Sequence, residues 1–274
     1  KIMYKGYIDN NQIEIVCYEE GWILESICKS LSKKLKELNP ILIIKITNKP
    51  SGREGIIYFH FYYQIAKPVH NSRNIFYVTH IDKYHKALKL IELSKYNGEF
   101  FCVSEETASY VNNLLRDGNV YAIKPWSLHL KQIKKEKNRK ITFGMFFRIY
   151  SDRRKGNFYI EDFIRKIILK NKNNKLIIYG SGFEKILEPI DTKNIKYINK
   201  EFKRSEYINY LKKCDYVIYF GKDEGSYSIL DSSYLGIKVI TINQGFHKDI
   251  PFKKGSHLVN KQKEIIEIAQ TLTK

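Results

Sequence analysis

Groups suited to holding phosphate and hydroxyls are concentrated between residues 212 and 240, KKCDYVIYFGKDEGSYSILDSSYLGIKVI. Asp223, Glu224 and Gly225 fall where the apolar run 216–220 ends, and Ser226, Tyr227 and Ser228 follow where a short helix should begin. A helix N-terminus leaves backbone N–H groups without intrahelical partners and carries partial positive charge, so a serine-bearing turn there suits phosphate oxygens. Asp231 follows Glu224 by seven residues and Asp223 by eight. That is about two helical turns, and it predicts an acidic group at each end of one helix, both facing one crevice. One carboxylate would grip hydroxyls close to the phosphates, the other hydroxyls further away.

A second block supplies cations. In residues 140–156, KITFGMFFRIYSDRRKG, an apolar run leads into a polar loop that carries Arg148 and Lys155, with Arg153 and Arg154 near enough to exchange roles with Arg148. A guanidinium binds phosphate oxygens as a bidentate fork and an ammonium adds a compact point charge, a pairing suited to a diphosphate. Residues 175–182, KLIIYGSG, read as a strand followed by a Gly-Ser-Gly turn containing Gly180 and Gly182. Alone, such a turn only reverses the chain. The sequence holds no D-x-D and no His or Cys cluster at zinc spacing, so no metal and no cofactor are expected. G-x-S-x-G, Walker A and zinc-protease patterns are also missing, which argues against hydrolases and NTPases.

These groups need elements to hold them. The runs 216–220 and 237–242 read as buried parallel strands flanking one short helix. Earlier in the chain, 13–18, 41–46, 56–61, 75–79 and 120–126 are apolar, β-branched or aromatic, and 23–38 reads as an amphipathic helix with Ile27, Leu31, Leu35 and Leu38 on one face. Strands alternating with helices imply βαβ units and parallel sheet. His80 follows one of those strands and His60 lies within another; a lone histidine at such a position is as often a satisfied structural group as a functional one.

Taken together, these blocks resemble the retaining GT-B glycosyltransferases of the group 1, family 4 type. Cys214-Asp215-Tyr216-Val217-Ile218 and Gly236-Ile237-Lys238-Val239-Ile240 are similar to the strands on either side of the family's donor-site helix. Residues 140–156 look like its "R…KG" loop, 175–182 its "G-x-G" turn, and FYVTHIDKYH, ending at His85, its strand and histidine beside the donor sugar. Asp223 with Asp231 keeps the family's acidic spacing, while Glu224 with Asp231 is one residue short. The resemblance implies an α/β fold of GT-B architecture, two Rossmann-like domains with parallel sheets facing across a cleft. Residues 1–130 would form the acceptor-side domain and 131–274 the nucleotide-sugar domain, joined through the polar run 131–140.

The activity implied is transfer of a sugar from a nucleotide-diphosphate sugar to an acceptor hydroxyl with retention of configuration and without a metal. Arg148, Lys155 and the turn at Ser226, Tyr227 and Ser228 would stabilise the departing diphosphate. Asp231 would hold the ribose hydroxyls, Asp223 or Glu224 the sugar hydroxyls, and His80 the sugar from the opposite domain. Gly180, Gly182 and Gly225 would let the backbone approach the donor. The acceptor is expected to be a glycan, a lipid-linked sugar or a protein.

Composition bears on partners. The net charge is +19, of which residues 1–130 carry +4 and residues 131–274 carry +15. A nucleotide diphosphate needs few of those charges, so an anionic membrane surface or nucleic acid is a further candidate partner. A lysine, isoleucine and asparagine bias of the genome explains the excess equally well. Two other readings stand beside the transferase: a nucleic-acid-modifying glucosyltransferase of the same fold, and a non-catalytic GT-B-like protein that binds a sugar or a partner. No apolar run reaches the roughly 18 residues that span a bilayer, and no signal peptide is evident, although the chain opens on Lys1 and leaves room for an upstream piece. Cys17, Cys28, Cys102 and Cys214 form no C-x-x-C and are expected as buried free thiols. A cytoplasmic location follows as an expectation, with peripheral contact at the inner face of a membrane.

Overall fold

Short runs of β-branched and aromatic residues form two parallel sheets in the computed structural model, which describes residues 9–18, 23–96, 98–116, 118–125, 130–133, 140–200 and 202–274. The chain divides into two units, Lys1–Pro125 and Trp126–Lys274. The division falls between residues 125 and 126, ahead of the polar run 131–140, of which residues 134–139 lie outside the described residues.

In the first unit the order along the chain is β1 (Gln12–Val16), α1 (Ile23–Leu38), β2 (Ile43–Thr47), β3 (Ile57–Phe61), β4 (Arg73–Val78), α2 (Tyr84–Ser94), β5 (Glu99–Cys102), α3 (Glu105–Leu115) and β6 (Asn119–Ala122). Across the sheet it is β2-β1-β3-β4-β5-β6. Phe76 and Phe100 pack with Leu90, Leu93 and Val111 in one continuous core, so α2 and α3 are fixed by their apolar faces. Ser104 caps α3 by accepting the Thr107 amide at 3.0 Å. β4 starts at Arg73, ahead of the apolar run that predicts it. The polar start is held by a two-pronged contact to Glu99 of β5, Nε to Oε1 at 2.6 Å and Nη2 to Oε2 at 3.0 Å. His60, in β3, is fully buried between the rings of Tyr58 and Phe76 and belongs to the core. The expected strand 120–126 ends at Ala122.

The second unit runs β7 (Thr142–Phe146), α4 (Asn157–Phe163) continuing into a π turn, β8 (Lys175–Tyr179), α5 (Glu184–Leu187), β9 (Ile195–Ile198), α6 (Arg204–Leu211), β10 (Tyr216–Tyr219), α7 (Tyr227–Leu235), β11 (Lys238–Ile242), β12 (His257–Val259) and α8 (Gln262–Leu272). Its sheet order is β12-β11-β10-β7-β8-β9. From β7 the chain winds outward through β8 and β9, then returns to the other side of β7 as β10 and winds the opposite way. β7 and β10 are therefore neighbours at a topological switch point, and the loops after their carboxyl ends border the crevice where open α/β sheets bind ligands. All four residues of β10 are buried, as a central parallel strand covered on both faces requires. Gly236, at φ +69°, ends α7 in the left-handed conformation and turns the chain into β11.

The four cysteines are buried and free. Among the described residues no helix is long and apolar enough to cross a membrane.

Candidate functional site

At the switch point three side chains from two loops and one strand end close into a network. Lys155, in the loop between β7 and α4, donates from Nζ to Asp223 Oδ2 at 2.5 Å and to the Tyr219 hydroxyl at 2.5 Å. Tyr219, the last residue of β10, in turn donates to Asp223 Oδ1 at 2.5 Å. Its direction is thereby fixed, because the ammonium can only donate to the phenol oxygen and the phenol proton is left for the carboxylate. Burial and the neighbouring Asp223 charge hold the Tyr219 phenol well above its ordinary pKa, so it stays a neutral donor. The side chains of Lys155 and Asp223 are each 11% exposed, which leaves the ion pair at the edge of solvent instead of sealed in the core.

A buried histidine shapes the next turn. His247 Nε2 accepts the Ser226 amide at 2.9 Å, while Nδ1 lies 3.1 Å from the Ile242 carbonyl and donates to it. Burial pushes its pKa down to about 4, so the ring is neutral and of one tautomer at physiological pH. Gly225, at φ +123°, brings the backbone so close that a Cβ would stand 2.8 Å from the Phe246 ring and 3.0 Å from His247. Glu224 is tied by its carbonyl, which accepts the Phe246 amide at 3.0 Å, and its side chain is half-buried. Ser226 caps α7, its Oγ accepting the Ser228 amide at 3.3 Å and meeting Ser228 Oγ at 2.8 Å. The helix start falls where the sequence predicts it. Two of its amides, however, serve His247 and the cap, which narrows the set of donors aimed at a ligand. Tyr227 packs against Phe246.

Arg148 sits in the loop after β7 and is half-buried. The loop is drawn against the Gly-Ser-Gly turn by a bond from the Ile149 amide to the Ser181 carbonyl at 2.9 Å. Gly180 makes the approach feasible, because a Cβ there would lie 2.0 Å from the Phe147 carbonyl oxygen; Gly182 occupies the same turn at φ +88°. Both glycines thus position the backbone that carries Arg148. Arg154 lies over the Tyr150 ring at 4.6 Å, with Asp152 3.6 Å from its Nε.

Asp231 has other partners. It is the fifth residue of α7 rather than an acid at its end, and it is fully buried. Arg204 of α6 grips it from Nη1 at 2.5 Å and Nη2 at 2.8 Å, and the Tyr207 hydroxyl donates to it at 2.9 Å. Burial and the Asp231 charge raise the Tyr207 pKa well above its ordinary value. Asp223 and Asp231 therefore engage separate sets of partners.

His80 belongs to the first unit, in the loop after β4. Lys86 Nζ donates to its Nε2, so Nδ1 carries the proton and donates to Thr79 Oγ1 at 2.8 Å. The Tyr62 hydroxyl donates to its carbonyl. Among the described residues no group of three or more His, Cys, Asp or Glu side chains could hold a metal ion.

No protein-family model matches the chain, and no curated protein does. Solved structures do share its fold. Anabaena HepE in complex with UDP-glucose aligns over 95% of this chain and 89% of its own at 12% identity, with a TM-score of 0.64. HepE in complex with UDP and glucose aligns over 96% and 89% at 10% identity, with a TM-score of 0.63. S. aureus TarM in complex with fondaparinux, α-GlcNAc-glycerol and UDP aligns over 81% of this chain at 12% identity, with a TM-score of 0.64, and here the chain spans about half of TarM's length, 49%. At such identities the likeness defines the architecture, an α/β protein of two Rossmann-like domains of the GT-B type.

Proposed function

We propose that this chain is a glycosyltransferase that binds a nucleotide-diphosphate sugar at the switch point of its second unit and transfers the sugar to an acceptor hydroxyl. The observation that carries the reading is the Lys155–Asp223–Tyr219 network beside the Ser226-capped start of α7. It sets the Lys155 ammonium, on a side chain 11% exposed, at the carboxyl end of a Rossmann-like sheet, where a diphosphate would meet it. In the resting protein the Asp223 carboxylate is the anion that Lys155 holds. An arriving diphosphate would compete for Lys155, and Arg148 would add the second cation. Both would stabilise charge that grows on the leaving phosphate as the sugar bond breaks.

Glu224 and Asp223, on the loop that follows β10, are the groups assigned to the sugar hydroxyls. His80 is assigned to the sugar from the first unit. Retention without a metal is part of the proposal: no protein nucleophile is needed where the leaving phosphate takes the acceptor proton. UDP-glucose is the first donor to try, because HepE was solved with it. A glycan, a lipid-linked sugar and a protein remain the acceptor classes to test.

A second reading, binding without turnover, is favoured by one feature. Asp231, the acid expected to hold the ribose, is 0% exposed and saturated by Arg204 and Tyr207. Donor turnover separates the two readings. With UDP-glucose and a panel of other nucleotide sugars, wild-type protein should release nucleotide diphosphate, and Lys155→Ala should lower the rate by about 100- to 1,000-fold, the usual loss when a charge-stabilising donor is removed. A folded protein that binds a nucleotide sugar and never turns it over would sustain the second reading instead.

A further inference from the structure

The second unit has a concavity at the opposite end of its sheet. A cavity of about 360 Å³ is bordered by Thr142, Lys175, Ile177, Lys193, Lys196 and Lys213. Thr142 and Lys175 are the first residues of β7 and β8, so the cavity opens at the amino ends of the strands, whereas Lys155 and Asp223 follow their carboxyl ends. A five-residue strand separates the two ends by about 16 Å.

The four lysines come from three stretches of chain, at the start of β8, around the start of β9 and after α6, which the fold brings together. All four are exposed, and among the described residues none forms an ion pair with a carboxylate. Two of them share one aromatic partner: Lys196 Nζ lies 4.9 Å and Lys213 Nζ 5.1 Å from the centre of the Tyr210 ring. The ring attracts each cation. Four like charges around a hollow focus a positive field into it. Buried Ile177 and Leu176 add apolar surface to the walls, and Thr142 and Asn194 add polar groups.

We propose that this cavity is a second, anion-binding site that takes a phosphate-bearing ligand. Its volume lies at the small end of the range for ligand pockets, roughly 300–1,000 Å³, which suits one or two phosphate groups with part of their carrier. Four independent point charges suit the spread oxygens of phosphate, which lysine binds as a compact charge. The phosphate comes either from a free solute or from a lipid headgroup. The site shares no residue with the proposed donor crevice and does not depend on the transferase reading.

Calorimetric titration with pyrophosphate tests it, using Lys155→Ala protein so that binding in the crevice is disabled, beside the same protein carrying K196E and K213E. Both lysines are exposed, so the charge reversals leave the core intact, and circular dichroism checks that. The Lys155→Ala protein should retain one binding event, weakened by salt, and the charge reversals should lower its affinity by at least about tenfold. In a parallel arm, both proteins are sedimented with phosphatidylcholine vesicles with and without phosphatidylserine. Phosphatidylserine-dependent sedimentation lost on charge reversal, without pyrophosphate binding, would assign the phosphate to a lipid headgroup. Pyrophosphate binding and sedimentation both unchanged by K196E and K213E, or both absent from the Lys155→Ala protein, would overturn the proposal.

Discussion

Two clusters in the second unit are built from the same three chemical types, a cation, a carboxylate and a tyrosine, and they end in different states. In one, Lys155, Asp223 and Tyr219 meet at loops after β7 and β10, with the ammonium and the carboxylate both 11% exposed. In the other, Arg204, Asp231 and Tyr207 join α6 to α7, and the carboxylate is 0% exposed while the guanidinium reaches solvent at 30%. The difference follows from where the acid sits. A loop acid at the mouth of a sheet keeps a route to solvent and to a ligand. An acid in the middle of a helix that packs on a sheet is enclosed, and it needs a bidentate partner to offset its desolvation. The first cluster thus keeps both partners at the edge of solvent, and the second ties two helices together.

The largest expected effect is on the closed cluster. Arg204→Ala should destabilise the second unit by about 3 kcal/mol, because it leaves the fully buried Asp231 carboxylate without its cation. Lys155→Ala should cost less, since the Asp223 side chain it leaves behind is 11% exposed. Urea unfolding of both variants checks this, and equal losses would break the distinction.

A comparable effect should appear with pH. His247 and His60 are each held neutral, with pKa values lowered to about 4 by burial, against 6.5 for an unburied histidine. Between those values the unfolded chain binds protons that the folded chain refuses, so each histidine's contribution is full above about 6.5, falls as pH drops, and is gone below about 4. The loss is on the order of 3 kcal/mol per histidine. His247→Gln should flatten the second unit's share of the decline, measured by unfolding at pH 7, 5.5 and 4.5. Because His247 holds the Ser226 turn, the same variant should weaken nucleotide binding, which His60→Gln should not.

The smallest effects compare the two phenols. Tyr219→Phe and Tyr207→Phe each remove a buried hydroxyl donor and should cost about 1–2 kcal/mol of stability. Only Tyr219→Phe should also raise the dissociation constant for a nucleotide diphosphate, by about tenfold, because it orients Lys155. A similar rise in both would remove the functional contrast.

Much of the frame was legible in the residues. The apolar runs of β7, β8, β10 and β11 are continuous because those strands are covered on both faces, and Ser226 and Gly236 mark the start and end of α7 in the sequence. The Gly-Ser-Gly turn and the Arg148 loop were visible as motifs, although the reason they meet, the 2.0 Å that a Gly180 Cβ would leave to Phe147, was not. The partners that give the site its character were hidden. Lys155 and Tyr219 are 64 residues apart, Arg204 and Asp231 27, and Ser226 and His247 21. Periodicity carries no information on such contacts. Spacing relates Asp223 to Asp231 but is silent on α6, a helix of low amphipathic contrast that supplies the arginine paired with Asp231.

The most direct measurement is calorimetric titration of UDP into wild-type protein, Lys155→Ala and Asp231→Asn, with folding of each confirmed beforehand. Binding should be present in the wild type, abolished or weakened at least about 100-fold in Lys155→Ala, and retained in Asp231→Asn, since a charge-assisted phosphate contact is lost only in the first. Undiminished binding in Lys155→Ala, or loss confined to Asp231→Asn, would contradict the assignment of the open cluster as the phosphate site.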